Sequence, residues 1–279
     1  QPYRHQVENL ISFCRMLPVT LLADDVGLGK TISAALILGE LMERKRVARA
    51  LVICPAILGP QWVEELASKF GIIAQFVKGQ ELNNALERYL VPVVVTTYQT
   101  ASSRIPKIKP EKFDMLILDE AHKLRNLHGS QNPPQMAQRV RKALESRIFK
   151  YVLMLTATPI QNRIWDLYSL IDLLTVAKGH RNPLGTPDEF RARFISDSAG
   201  RKLNPFTADD FRGILRQYVV RTRREDAKLQ FPERIVETRK LRAGKVEKRM
   251  YEMVASEIEQ LSALVQISLS QAMMSSPQA

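Results

Sequence analysis

Residues that could bind a phosphate group follow a short apolar run near the start of the chain. The segment 21–31 reads L-L-A-D-D-V-G-L-G-K-T, in which Gly27 and Gly29 precede Lys30 and Thr31. Glycines let the backbone N–H groups of a loop turn towards a phosphate, and the helix that follows adds the positive end of its dipole. We expect Lys30 to reach the β- and γ-phosphates of a nucleotide and the Thr31 hydroxyl to bind Mg²⁺.

One position departs from the strict phosphate-loop pattern G-x-x-x-x-G-K-[ST]. The first glycine of that pattern would be residue 24, where this chain has Asp24. The remaining G-x-G-K-T is moderately specific, because a glycine turn before any helix gives a similar pattern. The segment alone therefore leaves both interpretations open.

A second candidate is D-E-A-H at 119–122, directly after the apolar run 115–118. A carboxylate at the end of a buried strand can hold Mg²⁺, often through water, and its neighbour can orient and deprotonate an attacking water. Asp119 and Glu120 are the candidates for these two roles. An Asp-Glu pair also occurs at ordinary helix starts, but its order after G-L-G-K-T favours a nucleotide-hydrolysis site.

Two hydroxyl groups follow another apolar run. Thr156 and Thr158 lie in T-A-T-P, directly after the run 151–155. They either form the polar end of a strand before Pro159 or relay signals between a nucleotide and a bound nucleic-acid strand. Their spacing is compatible with both interpretations.

Short apolar runs alternate with helical patterns along the chain. The predicted strands are 19–23, 50–54, 72–77, 91–97, 115–118 and 151–155. The predicted helices are 2–16, the segment after Thr31, 61–70 and an amphipathic 164–174, followed by short helices to about 217 and one long helix at 246–274. This alternation predicts an α/β fold with a mostly parallel sheet flanked by helices. Ligands of such sheets bind at the carboxyl ends of the strands, where all the motifs above lie.

The first predicted helix has one apolar face, formed by Val7, Leu10, Ile11 and Cys14. We expect this face to pack against the core, because apolar residues at helical spacing usually do. Gln6 lies on the first turn of the same helix. The spacing alone favours a solvated position for its side chain.

The bulk composition limits the possible partners. The chain has 279 residues, a formal net charge of +12 and a pI near 9.8, and residues 212–248 are strongly basic. Such a surplus favours a polyanionic partner, although a basic stretch can also be an ordinary solvated face. Since no apolar run approaches a membrane span and no secretory signal begins the chain, we expect nucleic acid and no membrane.

The ends of the chain and its cysteines support two further expectations. Cys14 and Cys54 each lie among apolar neighbours without metal-binding spacing, which favours buried free thiols in a reducing compartment. The chain begins at Gln1 and stops in a polar tail. We therefore expect it to be a piece of a longer protein.

Taken together, these segments resemble the motifs of helicase superfamily two, in the same order. They are Q-V-E-N-L, D-D-V-G-L-G-K-T, V-I-C-P-A-I-L-G-P-Q-W, V-V-T-T-Y, L-D-E-A-H-K-L-R-N and L-T-A-T-P-I-Q-N. Two later segments, D-L-Y-S-L-I-D-L-L and V-V-R-T-R-R-E-D-A-K-L-Q-F-P-E-R, resemble the Swi/Snf family of double-stranded-DNA translocases. The V-G-L-G-K-T form is closer to bacterial RapA-like members than to eukaryotic remodelers. The resemblance covers nearly the whole chain and thins after about residue 255.

The resemblance implies a site for ATP and Mg²⁺. Thr31 and Asp119 would hold the metal ion, and Lys30 and Glu120 would complete the catalytic set with Asp119. The residue three before Gln6 is Tyr3, where the family often has arginine, so the way in which adenine is held stays open. The implied nucleotide contacts are Gln6, which would read adenine, and Asp25, Val26, Gly27, Leu28, Gly29, Lys30 and Thr31.

The resemblance also implies two sets of residues that act together with DNA. One set lies along the DNA backbone, and the other couples the nucleotide to the bound DNA. The implied DNA contacts are Pro55, Gln61, Trp62, Thr97 and Tyr98. The implied coupling residues are His122, Thr156, Thr158, Gln161 and Asn162.

The implied architecture is a RecA-like phosphate-loop domain at 1–245, the first of two motor lobes, with a helical insertion at about 163–217. Residues 246–279 would be a helical connection towards a second RecA-like lobe of the same full-length chain, whose arginines complete the ATP site. The implied function is a DNA-dependent ATPase that translocates on double-stranded DNA and remodels protein–DNA complexes. Its place would be the bacterial cytoplasm, in association with the nucleoid, or the nucleus of a eukaryote.

Two other functions remain as alternatives. The first is a strand-separating helicase or a restriction-type motor, which a wedge element or a nuclease motif elsewhere in the full chain would favour. The second is a module that binds nucleic acid without catalysis. The presence of Lys30, Asp119 and Glu120 argues against the second, because a decayed site would show replacements at these positions.

Overall fold

A computed structural model describes residues 2–88, 91–110, 112–130, 132–227, 237, 244–258 and 265–267. The chain divides into two compact units, Gln1–Leu229 and Gln230–Ala279. The first unit contains a seven-stranded sheet in the order β3-β4-β2-β5-β6-β1-β7. Its strands are β1 Val19–Leu22, β2 Ala50–Cys54, β3 Ala74–Phe76, β4 Val93–Thr97, β5 Met115–Leu118, β6 Tyr151–Leu155 and β7 Val219–Val220.

All the described strand pairs of this sheet are parallel, which agrees with the mostly parallel sheet that the sequence predicts. Strands β1, β2, β4, β5 and β6 are buried at every position, because helices cover both faces of the sheet. The parallel arrangement brings the carboxyl ends of the strands to one edge. The segments that follow β1, β5 and β6 are the three candidate motifs.

Nine helices of the first unit are described. They are α1 Arg4–Met16, α2 Lys30–Glu43, α3 Gly59–Phe70, α4 Glu81–Glu87, α5 Tyr98–Ser102, α6 Gln135–Glu145, α7 Ile164–Lys178, α8 Pro187–Phe194 and α9 Ala208–Leu215. Buried side chains of α1, α2 and α3 form an apolar core on one face of the sheet, and those of α4 to α9 form another on the opposite face. The α/β fold predicted from the sequence is therefore confirmed.

Helix α1 turns a different face to the protein from the one predicted. Val7, Ile11 and Cys14 are exposed, so the predictions of a buried apolar face and of a buried Cys14 thiol were wrong. The second cysteine, Cys54, is buried as expected. The face that is buried consists of His5, Gln6, Asn9 and Phe13. Its polar members all hydrogen-bond to the loop after β1, which compensates for the loss of water.

Helix α7 is buried on nearly all sides, so the prediction of an amphipathic helix was also wrong. Aromatic side chains from α8 pack against α7. The ring centroid of Phe190 lies 4.4 Å from that of Tyr168 and 4.9 Å from that of Trp165. Pro187 begins α8 at a position where its missing N–H costs nothing.

The second unit contains helix α10 Lys245–Ile258. The predicted long helix at 246–274 agrees with the structure over the residues up to 258. Beyond that point only residues 265–267 are described, so the rest of the prediction lies outside the described residues. The segment L-Q-F-P-E-R after Lys228 lies outside them as well. In the part of the chain that the structure describes, no helix is long and apolar enough to cross a membrane.

Candidate functional site

The loop between β1 and α2 has the backbone shape of a phosphate loop. Gly27 and Gly29 have φ angles of 86° and 71°, a region that residues with a side chain rarely adopt. A Cβ atom on Gly29 would also lie only 2.8 Å from the Gln6 Nε2 atom. Helix α2 begins directly after Gly29, at Lys30, so the unpaired N–H groups of its first turn face this loop.

Lys30 lies inside the loop rather than in solvent. Its Nζ atom donates to the backbone oxygen of Asp24 at 3.0 Å and to that of Asp25 at 3.4 Å. Burial lowers the pKa of Lys30, and the nearby carboxylates of Glu120, Asp24 and Asp119 act in the opposite direction. The lysine is therefore within electrostatic reach of the acidic pair after β5.

Gln6 reaches the same loop from α1. Its Oε1 atom accepts from the backbone N–H of Tyr3 at 3.0 Å, and its Nε2 donates to the Leu28 oxygen at 3.4 Å. The side chain is buried, which excludes the solvated position that its spacing suggested. His5 was not predicted as a site residue, yet its Nε2 lies 2.8 Å from the same Leu28 oxygen.

Asp24, at the position where the strict pattern has glycine, is fully buried and holds the loop in place. Its carboxylate accepts from Asn9 Nδ2 and from the backbone N–H of Thr222, each at 2.7 Å. Burial raises the pKa of Asp24, and the hydrogen bond from Thr222 opposes this rise. The departure from the pattern therefore adds a buried acceptor that connects the loop to α1 and to the segment after β7.

The segment after β7 makes further contacts with the loop, among them a hydrogen bond from the Asp25 N–H to the Thr222 oxygen at 3.1 Å. Arg224 Nε donates to the Val26 oxygen at 2.8 Å, and the Arg224 N–H donates to the Asp25 carboxylate at 3.2 Å. Arg221 pairs with Asp25 at 3.4 Å. Arg224 lies 198 residues after Val26, so periodicity and local motifs carry no signal for these contacts.

Asp24→Ala is expected to lower the free energy of unfolding of the 279-residue chain by about 1–3 kcal/mol. The change leaves the partly buried Thr222 N–H without its acceptor and removes the shorter of the two hydrogen bonds that Asn9 Nδ2 donates, while the one to Ser33 Oγ at 3.2 Å remains. A donor left without a partner costs about 1–3 kcal/mol. Urea denaturation followed by circular dichroism measures the difference. The matched control is Asp25→Ala, which removes a partly exposed carboxylate and should cost less than about 1 kcal/mol. Equal losses for the two variants would contradict the role of Asp24.

Asp119 is buried and fully hydrogen-bonded at the end of β5. Its Oδ2 accepts from Trp62 Nε1 at 2.9 Å, and its Oδ1 accepts from the Glu120 N–H at 2.8 Å. Its backbone oxygen accepts from Tyr98 Oη at 2.8 Å, and its N–H donates to the Ile53 oxygen at 2.8 Å. Burial raises the pKa of Asp119, while the hydrogen bond from Trp62 opposes the rise.

Glu120 differs from its neighbour in both backbone and exposure. Its φ of 52° and ψ of 48° place a residue with a side chain in the left-handed region, a conformation that costs energy and is common in active sites. Its carboxylate is partly exposed and pairs with His122 Nδ1 at 2.9 Å. One carboxylate of the pair is therefore fixed inside the protein and the other is accessible to water.

The implied coupling residues form one series of close contacts that starts at Glu120. Thr156 Oγ1 lies 3.4 Å from His122 Nδ1, and the Thr158 N–H donates to Thr156 Oγ1 at 3.2 Å. Gln161 Nε2 in turn donates to Thr158 Oγ1 at 3.1 Å. Burial lowers the pKa of His122, and the carboxylate of Glu120 opposes this change.

The far end of the series is anchored on α7. The backbone N–H groups of Gln161 and Asn162 both donate to Asp166 Oδ2, at 3.1 and 3.0 Å. The side chains of Gln161 and Asn162 are exposed. The structure thus connects the acidic pair to the start of α7 through the T-A-T-P segment.

The five residues expected along DNA differ in accessibility. Gln61 is exposed and Pro55 is half-buried. Trp62 is only 1% exposed: its indole packs in the core and donates to Asp119, so the side chain faces away from the surface on which its segment is expected to meet DNA. Thr97 is 8% exposed, and its hydroxyl caps α5 by accepting from the Thr100 N–H. The half-buried Tyr98 points its hydroxyl inward.

The donor set at this edge of the sheet suits Mg²⁺. No group of three or more His, Cys, Asp or Glu residues that could hold a metal ion occurs among the described residues. Mg²⁺ in nucleotide sites is bound through one or two protein oxygens, substrate phosphates and water. The Thr31 hydroxyl and the Asp119 carboxylate are oxygen donors of this kind, so they fit the ion that the sequence implies.

Comparison with known proteins gives one family and several relatives. The model of the SNF2-related domain matches residues 4–276. The uncharacterized ATP-dependent helicase YqhH of Bacillus subtilis is 34% identical over 258 residues, which are 91% of this chain and 42% of the relative. The RNA polymerase-associated protein RapA of Actinobacillus pleuropneumoniae is 35% identical over 162 residues, which are 53% of this chain and 16% of RapA. The chain thus spans less than half the length of these curated relatives.

A solved structure shares the fold. The SWI2/SNF2 ATPase core of Sulfolobus solfataricus, in complex with double-stranded DNA, superposes with a TM-score of 0.60 at 21% identity. The match covers 94% of this chain and 56% of the archaeal chain. The similarity at this level concerns the arrangement of helices and strands.

Proposed function

Because the chain belongs to the SNF2-related domain family, we propose that it is the ATP-binding motor lobe of a DNA-dependent ATPase that translocates on double-stranded DNA and remodels protein–DNA complexes. The observation that carries the proposal is that Lys30 and the acidic pair Asp119 and Glu120 lie at the same edge of the sheet. Lys30 follows β1, and Asp119 and Glu120 follow β5; both strands are parallel neighbours of β6, so the two motifs lie at the same edge of the sheet. Lys30, proposed to bind the phosphates, and Glu120, proposed to deprotonate the attacking water, therefore belong to one site.

Each part of the site has one role in hydrolysis. The loop 24–31 and Lys30 bind the β- and γ-phosphates of ATP, and Gln6 contacts the loop on the side proposed for adenine. Thr31 and Asp119 would hold Mg²⁺, which neutralises phosphate charge when bound. Glu120 orients the attacking water and accepts its proton, because its carboxylate is the accessible one of the pair.

The coupling series supports a second role for the same residues. A proton or a charge change at Glu120 alters its pair with His122, which contacts Thr156. The contacts continue through Thr158 to the exposed Gln161. We assign to this series the communication between the nucleotide and bound DNA.

Double-stranded DNA is the partner that fits the charge and the relatives. The net charge of +12 favours a polyanion, and the archaeal relative was solved with double-stranded DNA. The name of RapA associates that relative with RNA polymerase, which motivates a protein–DNA complex as the remodelling target here. Because the chain spans only part of its relatives, a second RecA-like lobe of the same full-length chain is proposed to complete the ATP site. In a bacterium this function belongs in the cytoplasm, at the nucleoid.

In the full-length protein, duplex DNA of any sequence is expected to bind and to raise ATP turnover. Binding through Lys and Arg contacts to phosphates should weaken with salt, with a log–log slope of about −0.9 for each phosphate neutralised. Labelled duplexes of unrelated sequence, titrated at several salt concentrations, measure affinity and slope. A steady-state ATPase assay with the same duplexes measures the stimulation.

A strand-displacement assay separates the proposed function from its alternatives. A duplex translocase displaces the third strand of a triplex and leaves the duplex strands paired, whereas a strand-separating helicase also opens a forked duplex. A binding module without catalysis would show DNA affinity and no ATP turnover. Salt-independent binding or a strong preference for one sequence would contradict backbone tracking.

A further inference from the structure

Two aromatic side chains donate hydrogen bonds to Asp119 from the segments expected along DNA. Trp62 Nε1 donates to the Asp119 carboxylate at 2.9 Å, and Tyr98 Oη donates to the Asp119 backbone oxygen at 2.8 Å. Trp62 lies near the start of α3, after β2, and Tyr98 is the first residue of α5, after β4. Two separate helices therefore hold Asp119: α3 through the carboxylate of Asp119, and α5 through its backbone oxygen.

The side chains of Trp62 and Tyr98 point into the protein, whereas residues next to them in the chain are exposed. Trp62 is 1% exposed, and the half-buried Tyr98 turns its hydroxyl inward to the Asp119 backbone oxygen. The next residues in the chain, Gln61 beside Trp62 and Gln99 beside Tyr98, are exposed. Each helix start therefore presents a polar residue outward and a hydrogen-bond donor inward to Asp119.

We propose that Trp62 and Tyr98 are positioning residues that connect DNA binding at the starts of α3 and α5 to the placement of Asp119. The inference rests on the proposed function, because it requires DNA on that surface and Mg²⁺–ATP at the site. A small movement of either helix start on DNA moves a donor that fixes one atom of Asp119. Side chains that orient a metal ligand typically contribute about 10–100-fold to metal affinity or activity.

A binding cycle tests this connection without relying on catalysis. If DNA improves the placement of Asp119, it raises the affinity of the protein for Mg²⁺ with a non-hydrolysable ATP analogue by some factor. Because coupling is reciprocal, Mg²⁺ with the analogue must then raise the affinity for DNA by that same factor. The Kd of the full-length protein for a labelled duplex is measured with and without Mg²⁺ and the analogue. We expect the parent to show a ratio of about 5–150, the usual range of such coupling.

The variants Trp62→Phe and Tyr98→Phe each keep an aromatic ring and remove one donor to Asp119. We expect the ratio of the two Kd values to fall to within about twofold of 1 in each. The affinity for DNA without nucleotide is measured separately for each variant, because the resemblance implies that both segments lie along DNA, and only the ratio of the two Kd values reports the connection to Asp119. Should Trp62→Phe fail to fold, Tyr98→Phe decides alone, since it lacks only a hydroxyl group.

Tyr168→Phe is the matched control. It also removes a tyrosine hydroxyl that donates to a backbone oxygen, that of Gly185 at 2.9 Å, but it lies on α7 in the aromatic cluster with Phe190. Its ratio should equal that of the parent. A loss of coupling in Tyr168→Phe as large as that in Tyr98→Phe would show a general effect on stability and would overturn the inference.

Three results separate the possible failures. If both donor variants keep the coupling ratio, or the parent itself has a ratio of 1 while DNA still stimulates hydrolysis, the inference is wrong and the proposed function stands. If DNA affinity without nucleotide falls in both variants while the ratio of the two Kd values keeps its parent value, the rings contact DNA directly and the positioning role is wrong. If DNA does not stimulate hydrolysis by the parent, the proposed function itself fails, and the inference fails with it.

Discussion

Glu120→Gln in the full-length protein is expected to lower single-turnover ATP hydrolysis by about 10²–10⁴-fold, the usual contribution of a general base. Glutamine keeps the size and hydrogen-bonding capacity of glutamate but cannot accept the proton of the attacking water. ATP affinity should stay within about twofold, because Glu120 is proposed to act on water and not on the metal ion. Rapid-quench hydrolysis and equilibrium binding of a fluorescent ATP analogue measure the two quantities.

Lys30→Ala is the control that separates binding from chemistry. Its ammonium lies in the phosphate loop, where it donates to the oxygens of Asp24 and Asp25, and it is proposed to hold the β- and γ-phosphates. The variant should therefore weaken ATP binding itself. If Glu120→Gln binds ATP as poorly as Lys30→Ala, or hydrolyses it at the parent rate, the role assigned to Glu120 is wrong.

Six of the seven strands of the parallel sheet could be predicted, but β7 was missed, and β3 and β4 begin two residues after the predicted starts. Strands β2, β5 and β6 have the predicted bounds 50–54, 115–118 and 151–155. A strand covered by helices on both faces needs an uninterrupted apolar run, and such runs stand out between polar loops. Because the strands are parallel, predicting their ends also predicted the edge at which the motifs meet.

Helix α1 shows where the apolar pattern fails. Periodicity assigns Val7 and Ile11 to the interior, but the buried face carries His5, Gln6 and Asn9. Those polar groups can be buried because the loop after β1 supplies acceptors for them. A pattern of hydrophobicity contains no information about such acceptors, so the error falls at the functional site.

The remaining differences concern the direction of single side chains. The resemblance placed the segment of Trp62 near DNA, but the indole points inward to Asp119. Asp24 could only be described as a departure from the strict pattern, because its partner Thr222 lies 198 residues away in the chain. Sequence motifs locate a segment, whereas the orientation of a side chain depends on contacts made after folding.

The 279-residue chain by itself is expected to bind ATP but to hydrolyse it about 10³–10⁵-fold more slowly than the full-length protein. The loop with Lys30 and the acidic pair can bind nucleotide within the first unit. The proposed second lobe supplies arginines that stabilise the charge of the transition state, and such an arginine typically contributes about 10³–10⁵ in rate. Single-turnover hydrolysis by both proteins, with and without duplex DNA, measures the difference.

Two comparisons make this result decisive. Addition of duplex DNA should leave hydrolysis by the 279-residue chain unchanged, because the arginines would still be missing from its site. Lys30→Ala in the same chain measures any contaminating ATPase, since a true signal must depend on the phosphate loop. The contrary result would be DNA-stimulated turnover by the 279-residue chain that reaches within about tenfold of the full-length rate and that Lys30→Ala in the same chain abolishes. Such a result would show that this chain holds a complete site. The assignment to one of two motor lobes would then be wrong.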